Sequence, residues 1–509
     1  MAAQRLNGAL VLVGFMGAGK STGVRTLAAE LRAEPLDSDH ELERRLGEPI
    51  EAFFDREGEY AFRSREEELV LELLDGRRAP VIALGGGALQ SERVREALAP
   101  HTVVHLEVRP EDAWRRASGK GRPLAREPAR FEQLQRDRNP LYDAVADAVL
   151  PPSDRDCLRR SLPALLALGE APAGTRLVWA SATSAEYPVF LGRGLIASGF
   201  FFPRDGRRLV VTDSNVARSH PFEGDARIVV MPGEERKTIH GAEMVLRELA
   251  QSNAERGDLV VAVGGGVVGD VAGFCAGVYQ RGVGVVQVPT TLVAQVDSAY
   301  GGKTGVDLPE GKNYVGVYHQ PRAVLSDPRV LATLPPEELA AGWAEVIKTA
   351  LIAGGPLWAR VRRGPQDVDR DLVLACARTK LGVVARDERD AGRRQVLNLG
   401  HTVGHAIETA TGYARFRHGE AVGLGLLAAL TLSGQVALRS EVAELLEEHR
   451  LPTKLDADID EAAILTAVQR DKKRRGGRVG FVVVDAPGDV RTGVPMAEND
   501  VRAAIGELR

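Results

Sequence analysis

A glycine-rich turn lies near the amino terminus, between a short apolar run and a segment with helical periodicity. From Gly14 to Ser21 it reads GFMGAGKS, which fits the spacing G-x-x-x-x-G-K-[ST]. Glycines at this spacing let successive backbone amides converge on an anion at a helix N-terminus, while Lys20 and Ser21 add a cation and a hydroxyl ligand for Mg²⁺. The motif predicts a strand–turn–helix unit of a parallel α/β sheet, with a phosphate site at the end of its first strand.

Length, charge and cysteine content limit the remaining possibilities. The chain has 509 residues, which at about 150 residues per domain predicts two to four domains. Its 66 lysines and arginines nearly balance 70 aspartates and glutamates, so the charge favours neither nucleic acid nor a polybasic membrane anchor. No apolar run reaches the roughly 18 residues of a membrane span. Three widely spaced cysteines, an odd number, favour a reducing compartment and a cytoplasmic location.

Apolar runs alternate with helical periodicity along most of the chain, which predicts an α/β fold in three domains. The first domain, with a parallel sheet, covers residues 1–168 and is followed by a linker rich in glycine and proline at 169–175. A second α/β domain covers residues 176–334. From residue 335 to residue 509 the pattern is mainly helical.

Polar and glycine segments recur along the rest of the first domain, and the first of them falls where a second strand would end beside the phosphate site. They are Asp37 and Asp39, FRSRE from Phe62 to Glu66, the triple glycine Gly85–Gly87, RPL from Arg122 to Leu124 and RNPLY from Arg138 to Tyr142. Taken singly, Asp37 or Asp39 is also compatible with a helix cap, and Gly85–Gly87 with a turn at a strand end. Taken together in this order, the segments closely resemble shikimate kinase across residues 5–168.

The resemblance implies a P-loop kinase domain that transfers a phosphoryl group from ATP with Mg²⁺ to shikimate. Arg63 and Arg138 would clamp the substrate carboxylate, while Arg122 would stabilise the transferring group from a lid. The implied catalytic residues are Lys20, Asp39 and Arg122, with Asp39 as orienter or base of the attacking hydroxyl. The implied ATP-binding residues are Gly17, Ala18, Gly19, Lys20, Ser21, Thr22 and Arg122, with Ser21 also a Mg²⁺ ligand. The implied shikimate-binding residues are Asp39, Arg63, Gly85, Gly86, Gly87 and Arg138.

A second glycine turn follows an apolar run in the middle of the chain. Residues 258–270 read DLVVAVGGGVVGD, which can bring backbone amides to a pyrophosphate, although the spacing is not G-x-G-x-x-G. By itself this turn is equally compatible with a purely structural role. Polar and basic residues at the ends of the neighbouring predicted strands, from Asp213 to Lys312, favour a dinucleotide site.

Three of the ten histidines lie within eighteen residues, at positions 401, 405 and 418. They lie beside the carboxylate-bearing helix of Glu408 and follow Glu345, so nitrogen and oxygen donors suited to Zn²⁺ or Co²⁺ come together in the sequence. By spacing alone, His401 and His405 form a candidate i, i+4 chelate. Any one of the histidines taken singly is also compatible with a satisfied helix residue.

Residues 176–509 closely resemble 3-dehydroquinate synthase, with a Rossmann-like NAD-binding domain and a helical metal-binding domain. The resemblance implies Glu345, His401 and His418 as ligands of Zn²⁺ or Co²⁺, and His405 as a proton-transfer residue. The implied NAD⁺-binding residues are Asp213, Ser214, Asn215, Glu234, Lys237, Gly264, Gly265, Gly266, Asp270, Thr290, Thr291 and Lys312. The implied binding residues for deoxy-heptulosonate phosphate are Arg281, Asp297, Lys303, Asn313, Lys348, Lys380, Arg394 and Asn398, with Lys472 or Lys473, between which the sequence does not choose.

One position departs from this family. Asp390 stands where the family usually has glutamate, eight residues before Asn398. The implied catalytic set of this half is His405, Lys303, Lys348 and Asp390, and the carboxylate at 390 is one methylene shorter than the usual glutamate.

Together the two resemblances imply a bifunctional enzyme of aromatic amino acid biosynthesis. One half would phosphorylate shikimate, and the other would convert 3-deoxy-arabino-heptulosonate 7-phosphate to 3-dehydroquinate and phosphate without net redox change. The expected partners are these small molecules and a second copy bound through the synthase half, with no nucleic acid or membrane. Two alternatives are that the C-terminal half is another sugar-phosphate cyclase, and that the P-loop half is a non-catalytic nucleotide sensor.

Overall fold

A computed structural model of the protein describes residues 8–75, 80–118, 124–125, 127–152, 156–474 and 480–509, and for residues 470–474 it describes the backbone alone. These residues form two compact units. The first comprises Met1–Ser181 and Tyr187–Phe190, and the second comprises Ala182–Glu186 and Leu191–Arg509. The predicted linker at 169–175 lies within the first unit, and the predicted domain boundaries themselves stay a prediction.

The first unit contains a mainly parallel sheet with helices between its strands. Its elements are β1 Leu10–Val13, α1 Lys20–Leu31, β2 Leu36–Asp37, α2 Ser38–Leu46, α3 Ile50–Asp75, β3 Val81–Ala83, α4 Glu92–Ala97, β4 Thr102–Leu106, α5 Pro110–Ala117, α6 Pro128–Val145, β5 Ala148–Leu150, α7 Cys157–Leu168, β6 Arg176–Ser181 and β7 Glu186–Leu191. The strand order is β2-β3-β1-β4-β5-β6-β7, and all pairs from β2 to β6 are parallel. Every residue of β1 is buried, as expected for a strand covered on both faces.

The second unit begins with a further set of parallel strands. Its strands and helices up to the helical part are β8 Arg208–Asp213, α8 Ser214–Ser219, β9 Ala226–Val230, α9 Ile239–Gln251, β10 Leu259–Gly264, α10 Gly266–Val278, β11 Gly284–Pro289, β12 Lys303–Leu308, β13 Gly311–Tyr318 and β14 Ala323–Ser326. The parallel order is β14-β11-β10-β8-β9. β12 and β13 form a separate antiparallel pair.

The remainder of the second unit is mainly helical, with one antiparallel strand pair. Its elements are α11 Pro336–Ala353, α12 Gly355–Val361, α13 Arg370–Arg386, α14 His401–Ala410, α15 His418–Leu432, α16 Val436–Glu448, α17 Glu461–Arg474, β15 Gly480–Ala486, β16 Asp489–Pro495 and α18 Glu498–Gly506. α11 and α15 are buried along most of their length. The predicted α/β class with a mainly helical C-terminal part is confirmed. Among the described residues, no helix combines the length and the apolar character needed to cross a bilayer.

Candidate active sites

The first glycine turn links β1 to α1 and places Lys20 at the first position of the helix. Gly14, Gly17 and Gly19 have φ values of 142°, 81° and 95°, a region that favours glycine. The Lys20 ammonium donates hydrogen bonds to the carbonyl oxygens of Gly14 (2.7 Å) and Phe15 (3.2 Å). The ammonium therefore lies against the loop whose amides would face a phosphate chain.

Two acidic side chains and one arginine converge on the glycine segment that follows β3. A Cβ atom at Gly85 would lie 2.5 Å from Asp39 Oδ1 and 2.5 Å from Glu66 Oε1, and one at Gly87 would overlap the Arg63 guanidinium. Glycine is therefore required here for the close approach of these side chains. The Gly85 amide donates to Ser38 Oγ at 2.8 Å, which fixes the segment to the start of α2.

Arg138 of α6 lies on the other side of the same segment. Its Nη1 donates to Gly86 O at 3.1 Å, and Tyr142 OH donates to the same oxygen at 2.5 Å. Arg138 is 4% exposed, and its burial, with repulsion from Arg63, lowers its pKa despite the nearby Tyr142 and Glu66. Two neighbouring guanidinium groups, one of them buried, form a site for an anion such as a carboxylate.

Glu66 orients Arg63 for this site. Their side chains form an ion pair between Arg63 Nη1 and Glu66 Oε2. Burial raises the pKa of Glu66, opposed by Arg63 and assisted by Asp39. Arg63, Glu66 and Gly87 also line a cavity of about 790 Å³.

The other predicted kinase residues have the following places. Gly17, Ala18 and Gly19 lie in the first glycine turn, Ser21 and Thr22 in the first turn of α1, and Asp39 in α2. Asp37 caps α2 by accepting from the Asp39 amide at 3.0 Å. Arg122 lies outside the described residues.

The second glycine turn links β10 to α10 in the second unit. A Cβ atom at Gly264 would lie 2.5 Å from Val268 Cβ, and one at Gly265 would lie 2.8 Å from Thr291 Cγ2. The Thr290 amide donates to Gly264 O at 2.9 Å. These contacts bring the end of β11 against the turn and open the N-terminus of α10 as an anion site.

Charged pairs surround this turn. Lys237 Nζ lies 2.6 Å from Asp270 Oδ2. Burial alone would lower the pKa of Lys237, but Asp270 and Glu234 reverse the effect and raise it. At the end of β8, Asp213 accepts hydrogen bonds from the amides of Asn215 (2.8 Å) and Val216 (3.0 Å) and so caps α8.

A cavity of about 1550 Å³ brings most of the predicted synthase residues together. The predicted residues that line it are Asp213, Asn215, Glu234, Lys237, Gly265, Gly266, Asp270, Thr290, Thr291, Asp297, Lys303, Lys312, Asn313, Lys380, Asp390, Arg394, Asn398, His401, His405 and His418. Ser214 and Gly264 lie next to lining residues in the chain. Arg281 is exposed and does not line the cavity. The side chains of Lys472 and Lys473 lie outside the described residues.

Glu345, His401 and His418 form a cluster of possible metal donors. Glu345 Oε1 lies 3.6 Å from His401 Nε2 and 3.5 Å from His418 Nε2, on helices α11, α14 and α15. Glu345 is fully buried, and within the described residues its Oε1 accepts no hydrogen bond. A buried carboxylate oxygen that faces two imidazole nitrogens fits a divalent cation.

The outer nitrogens of both imidazoles face oxygen acceptors. His401 Nδ1 is 3.2 Å from Leu399 O, and His418 Nδ1 is 3.4 Å from Glu408 Oε1. A proton on Nδ1 leaves the Nε2 lone pair directed at the cluster. Burial and Lys348 lower the pKa of His401 to about 3. Burial opposes protonation of His418 as well, but Glu345 and Glu408 raise its pKa to about 9. The two carboxylates therefore favour a positive charge at the His418 imidazole.

His405 lies one turn after His401 but belongs to a different cluster. The two rings are perpendicular, with centroids 5.2 Å apart. Among the described residues, the donor atoms of His405 group with those of Glu408 and His418. The three-donor cluster of His401 contains Glu345 and His418 instead, as the family resemblance implies and unlike the chelate that the spacing suggests.

Lysines from three elements meet carboxylates beside this cluster. Lys348 Nζ lies 2.5 Å from Glu345 Oε2 and 3.6 Å from Asp297 Oδ2, and Lys380 Nζ lies 2.5 Å from Asp297 Oδ1. Burial opposes ionisation of Asp297, yet the two lysines lower its pKa to about 2. Lys303 Nζ lies 2.6 Å from Asp390 Oδ2.

Glu408 is a residue of the site for which no role was predicted from the sequence. It is 1% exposed, and its Oε1 accepts from Lys312 Nζ at 3.1 Å and faces His418 Nδ1. It therefore contacts one residue predicted to bind NAD⁺ and one predicted to bind metal. Helical periodicity could have placed it in the site, because Glu408 lies seven residues, or two helical turns, after His401 and therefore on the same face of the helix.

Comparisons with known proteins agree with both halves. Family models match as "Shikimate kinase" over residues 16–158, "3-dehydroquinate synthase N-terminal" over 227–341 and "3-dehydroquinate synthase C-terminal" over 342–474. A 3-dehydroquinate synthase of Gloeobacter violaceus is 44% identical over 339 residues, which cover 64% of this chain and 92% of that protein.

Two solved structures resemble a large part of this chain. One is 2-deoxy-scyllo-inosose synthase complexed with carbaglucose-6-phosphate, NAD⁺ and Co²⁺, with 25% identity, a TM-score of 0.58, and coverage of 65% of this chain and 100% of that chain. The other is 2-epi-5-epi-valiolone synthase from Streptomyces hygroscopicus subsp. jinggangensis 5008 with NAD⁺ and Zn²⁺ bound. It is 25% identical with a TM-score of 0.57, and the match covers 64% of this chain and 97% of that chain. The chain therefore belongs to the 3-dehydroquinate synthase family and carries a shikimate kinase domain ahead of the synthase, so that one polypeptide holds both enzymes.

Proposed function

We propose that the first unit phosphorylates shikimate through the residues around its two glycine segments. Lys20 would bind the terminal phosphates of ATP, and Ser21 would ligate Mg²⁺. Arg63 and Arg138 would bind the shikimate carboxylate, for which two planar cations are suited. Asp39, which lies against Gly85, would orient the attacking hydroxyl and accept its proton. Arg122 is proposed to stabilise charge on the transferring phosphoryl group.

We propose that the second unit converts 3-deoxy-arabino-heptulosonate 7-phosphate to 3-dehydroquinate and phosphate. When bound, NAD⁺ supplies reversible hydride transfer at one substrate carbon, and Zn²⁺ or Co²⁺ polarises the substrate oxygens. Glu345, His401 and His418 would hold the metal. The lysines at the Asp297 cluster would bind the anionic substrate, and His405 would move a proton at the cavity wall.

The observation that carries the synthase assignment is the Glu345–His401–His418 cluster beside a cavity lined with cations. Three protein donors leave coordination positions open for a substrate, as a catalytic metal site requires. The same cavity contains the β10–α10 turn and the polar ends of β8 and β11, which supports a bound dinucleotide.

Two alternatives receive less support. Another sugar-phosphate cyclase would share the scaffold, but the relative that is 44% identical is a 3-dehydroquinate synthase, whereas the two cyclase structures are 25% identical. A nucleotide sensor would have no need for an acceptor site. Asp39, Arg63 and Arg138 are all present, and they lie around the glycine segment.

We further propose a cytoplasmic homodimer formed through the synthase half, with domain boundaries at 168, 176 and 335. The cytoplasmic location is supported by the three cysteines, which are buried and form no disulfide among the described residues. The boundaries are supported by the glycine- and proline-rich stretch and by family matches that end at 158 and resume at 227.

A product assay on the purified full-length chain tests the proposal. Shikimate with ATP and Mg²⁺ should yield shikimate 3-phosphate, and the heptulosonate phosphate with NAD⁺ and Zn²⁺ should yield dehydroquinate and phosphate. Sedimentation of the same sample measures its oligomeric state. If the heptulosonate phosphate is unchanged while another sugar phosphate is cyclised, the synthase assignment is wrong. If shikimate is unchanged while ATP binds, the sensor alternative is correct.

A further inference from the structure

Arg176 is the first residue of β6 and follows the predicted linker, outside the residues that match shikimate kinase. Its guanidinium nevertheless binds the end of α6 in the first unit. Nη1 donates to the carbonyl oxygens of Asp143 (2.9 Å) and Ala146, and Nη2 donates to that of Ala144 (3.3 Å). These carbonyls belong to the last turn and exit of the helix, where intrahelical donors run out.

The contact also satisfies the charge of this helix end. The carboxyl end of a helix carries a partial negative charge that a cation stabilises, and α6 has no basic residue in its own last turn. Backbone pairing holds β6 in place, because the Leu177 amide donates to Asp147 O at 2.8 Å and Leu177 is in register with Ala148 of β5. Arg176 is therefore anchored by its own strand while it binds the helix.

The same helix carries the proposed carboxylate clamp. Tyr142 lies in its last turn, directly before Asp143, and Arg138 lies one turn earlier. Both side chains donate to Gly86 O, and both are buried, so neither can change its position independently of the helix. A shift of the carboxyl end of α6 would move both groups relative to the glycine segment.

We propose that Arg176 is a positioning residue of the kinase, which fixes α6 so that Arg138 meets the shikimate carboxylate. The kinase site is thus completed by a residue that the sequence assigns to the synthase half. This inference rests on the proposed role of Arg138 in the kinase reaction.

The test uses full-length variants and steady-state kinetics of both activities. Arg176→Met should raise the KM for shikimate by about three- to tenfold, the scale of a charge at a helix end, with the KM for ATP unchanged. Arg176→Lys should have a KM for shikimate close to that of the wild type, because an ammonium also donates hydrogen bonds to carbonyl oxygens. Synthase turnover of the same preparation should equal that of the wild type. Arg159→Met is the matched control, since Arg159 lies on α7 and pairs with the exposed carboxylate of Glu30 at 2.6 Å.

Three outcomes would overturn the inference. They are an unchanged KM for shikimate, a fall of kcat alone as expected from partial unfolding, and an equal effect in Arg159→Met. If Arg176→Met does not fold, Arg176→Gln is judged by the same criteria. Arg138→Met separates this inference from the proposed function: if its shikimate KM is normal, the clamp is wrong, and if it rises while Arg176→Met stays normal, only the role of Arg176 fails.

Discussion

Glutamine at position 408 should weaken metal binding in the synthase unit without abolishing it. Glu408 is buried between His418 Nδ1 at 3.4 Å and Lys312 Nζ at 3.1 Å. Through the first contact it keeps the proton of His418 on Nδ1, which leaves Nε2 directed toward Glu345. Glutamine keeps the size of the side chain and one acceptor oxygen but removes the negative charge.

The expected loss follows from this distance. A carboxylate 3.4 Å from a full positive charge gains about 5 kcal/mol at an effective dielectric constant of about 20. A neutral, metal-bound imidazole carries only part of such a charge, and the glutamine oxygen retains a hydrogen bond. Metal affinity should therefore fall by about 10- to 100-fold, the range found when a carboxylate behind a ligating histidine is removed, which corresponds to roughly 1.4–2.7 kcal/mol.

The assay is a Co²⁺ titration of chelator-stripped protein without NAD⁺, followed by visible absorption. Glu338→Gln is the control, because Glu338 binds the exposed Arg417 at 3.0 Å instead of an imidazole. Kinase activity of each variant reports correct folding of the first unit. Equal Co²⁺ affinity in Glu408→Gln and wild type would refute the reasoning. Complete loss of Co²⁺ binding would refute it as well, because Glu408 would then be a ligand itself.

Three further predictions use the same purified chain. Lys20→Ala should abolish phosphorylation of shikimate and leave phosphate release by the synthase intact, and loss of both activities in a folded variant would contradict separate sites. His418→Ala should lose metal and synthase activity together, whereas His405→Ala should retain metal and lose rate; the reverse pattern in metal analysis would overturn the ligand assignment. Burial lowers the pKa of His449 from 6.5 to about 4, so below pH 6.5 the unfolded chain binds a proton that the folded chain does not. The unfolding free energy of the wild type should therefore fall by about 3 kcal/mol more than that of His449→Phe between pH 6.5 and 4. An equal fall in both proteins, measured by denaturation at each pH, would contradict this prediction.

The sequence predicted those parts of the sites whose residues lie close together along the chain. The first glycine turn could be predicted because its spacing encodes a strand end, a loop and a helix start within eight residues. The donor cluster could not be predicted in this way. His401 and His405 have chelate spacing, but Glu345 approaches from α11 and reaches His401 and His418 instead. The packing of three helices decides the cluster, and no local pattern specifies it.

The two residues that the sequence missed differ in kind. Glu408 lies two turns after His401 on α14, so helical periodicity could have placed it on the same face. Arg176 offers no such signal, because its carbonyl partners lie more than twenty-five residues earlier and a linker by composition intervenes. Glycine and proline in a segment indicate turns, but they do not indicate which sheet the next strand joins.

Lysines of the synthase site are paired with carboxylates. The burial of each pair determines whether an anionic substrate can separate the lysine from its carboxylate. Asp297 holds Lys348 and Lys380 in a buried cluster, where removal of one partner costs about 3–5 kcal/mol. This cluster should therefore stay intact and bind the anionic substrate as a preformed unit, without release of either lysine from Asp297. The pair of Lys303 with Asp390 is more exposed, with the Lys303 side chain 47% accessible, and such pairs contribute little. Asp390 also has a φ of 63°, a conformation for which aspartate is several-fold enriched. Aspartate at 390 therefore suits this turn, and its weak pair with Lys303 leaves that lysine available to the substrate.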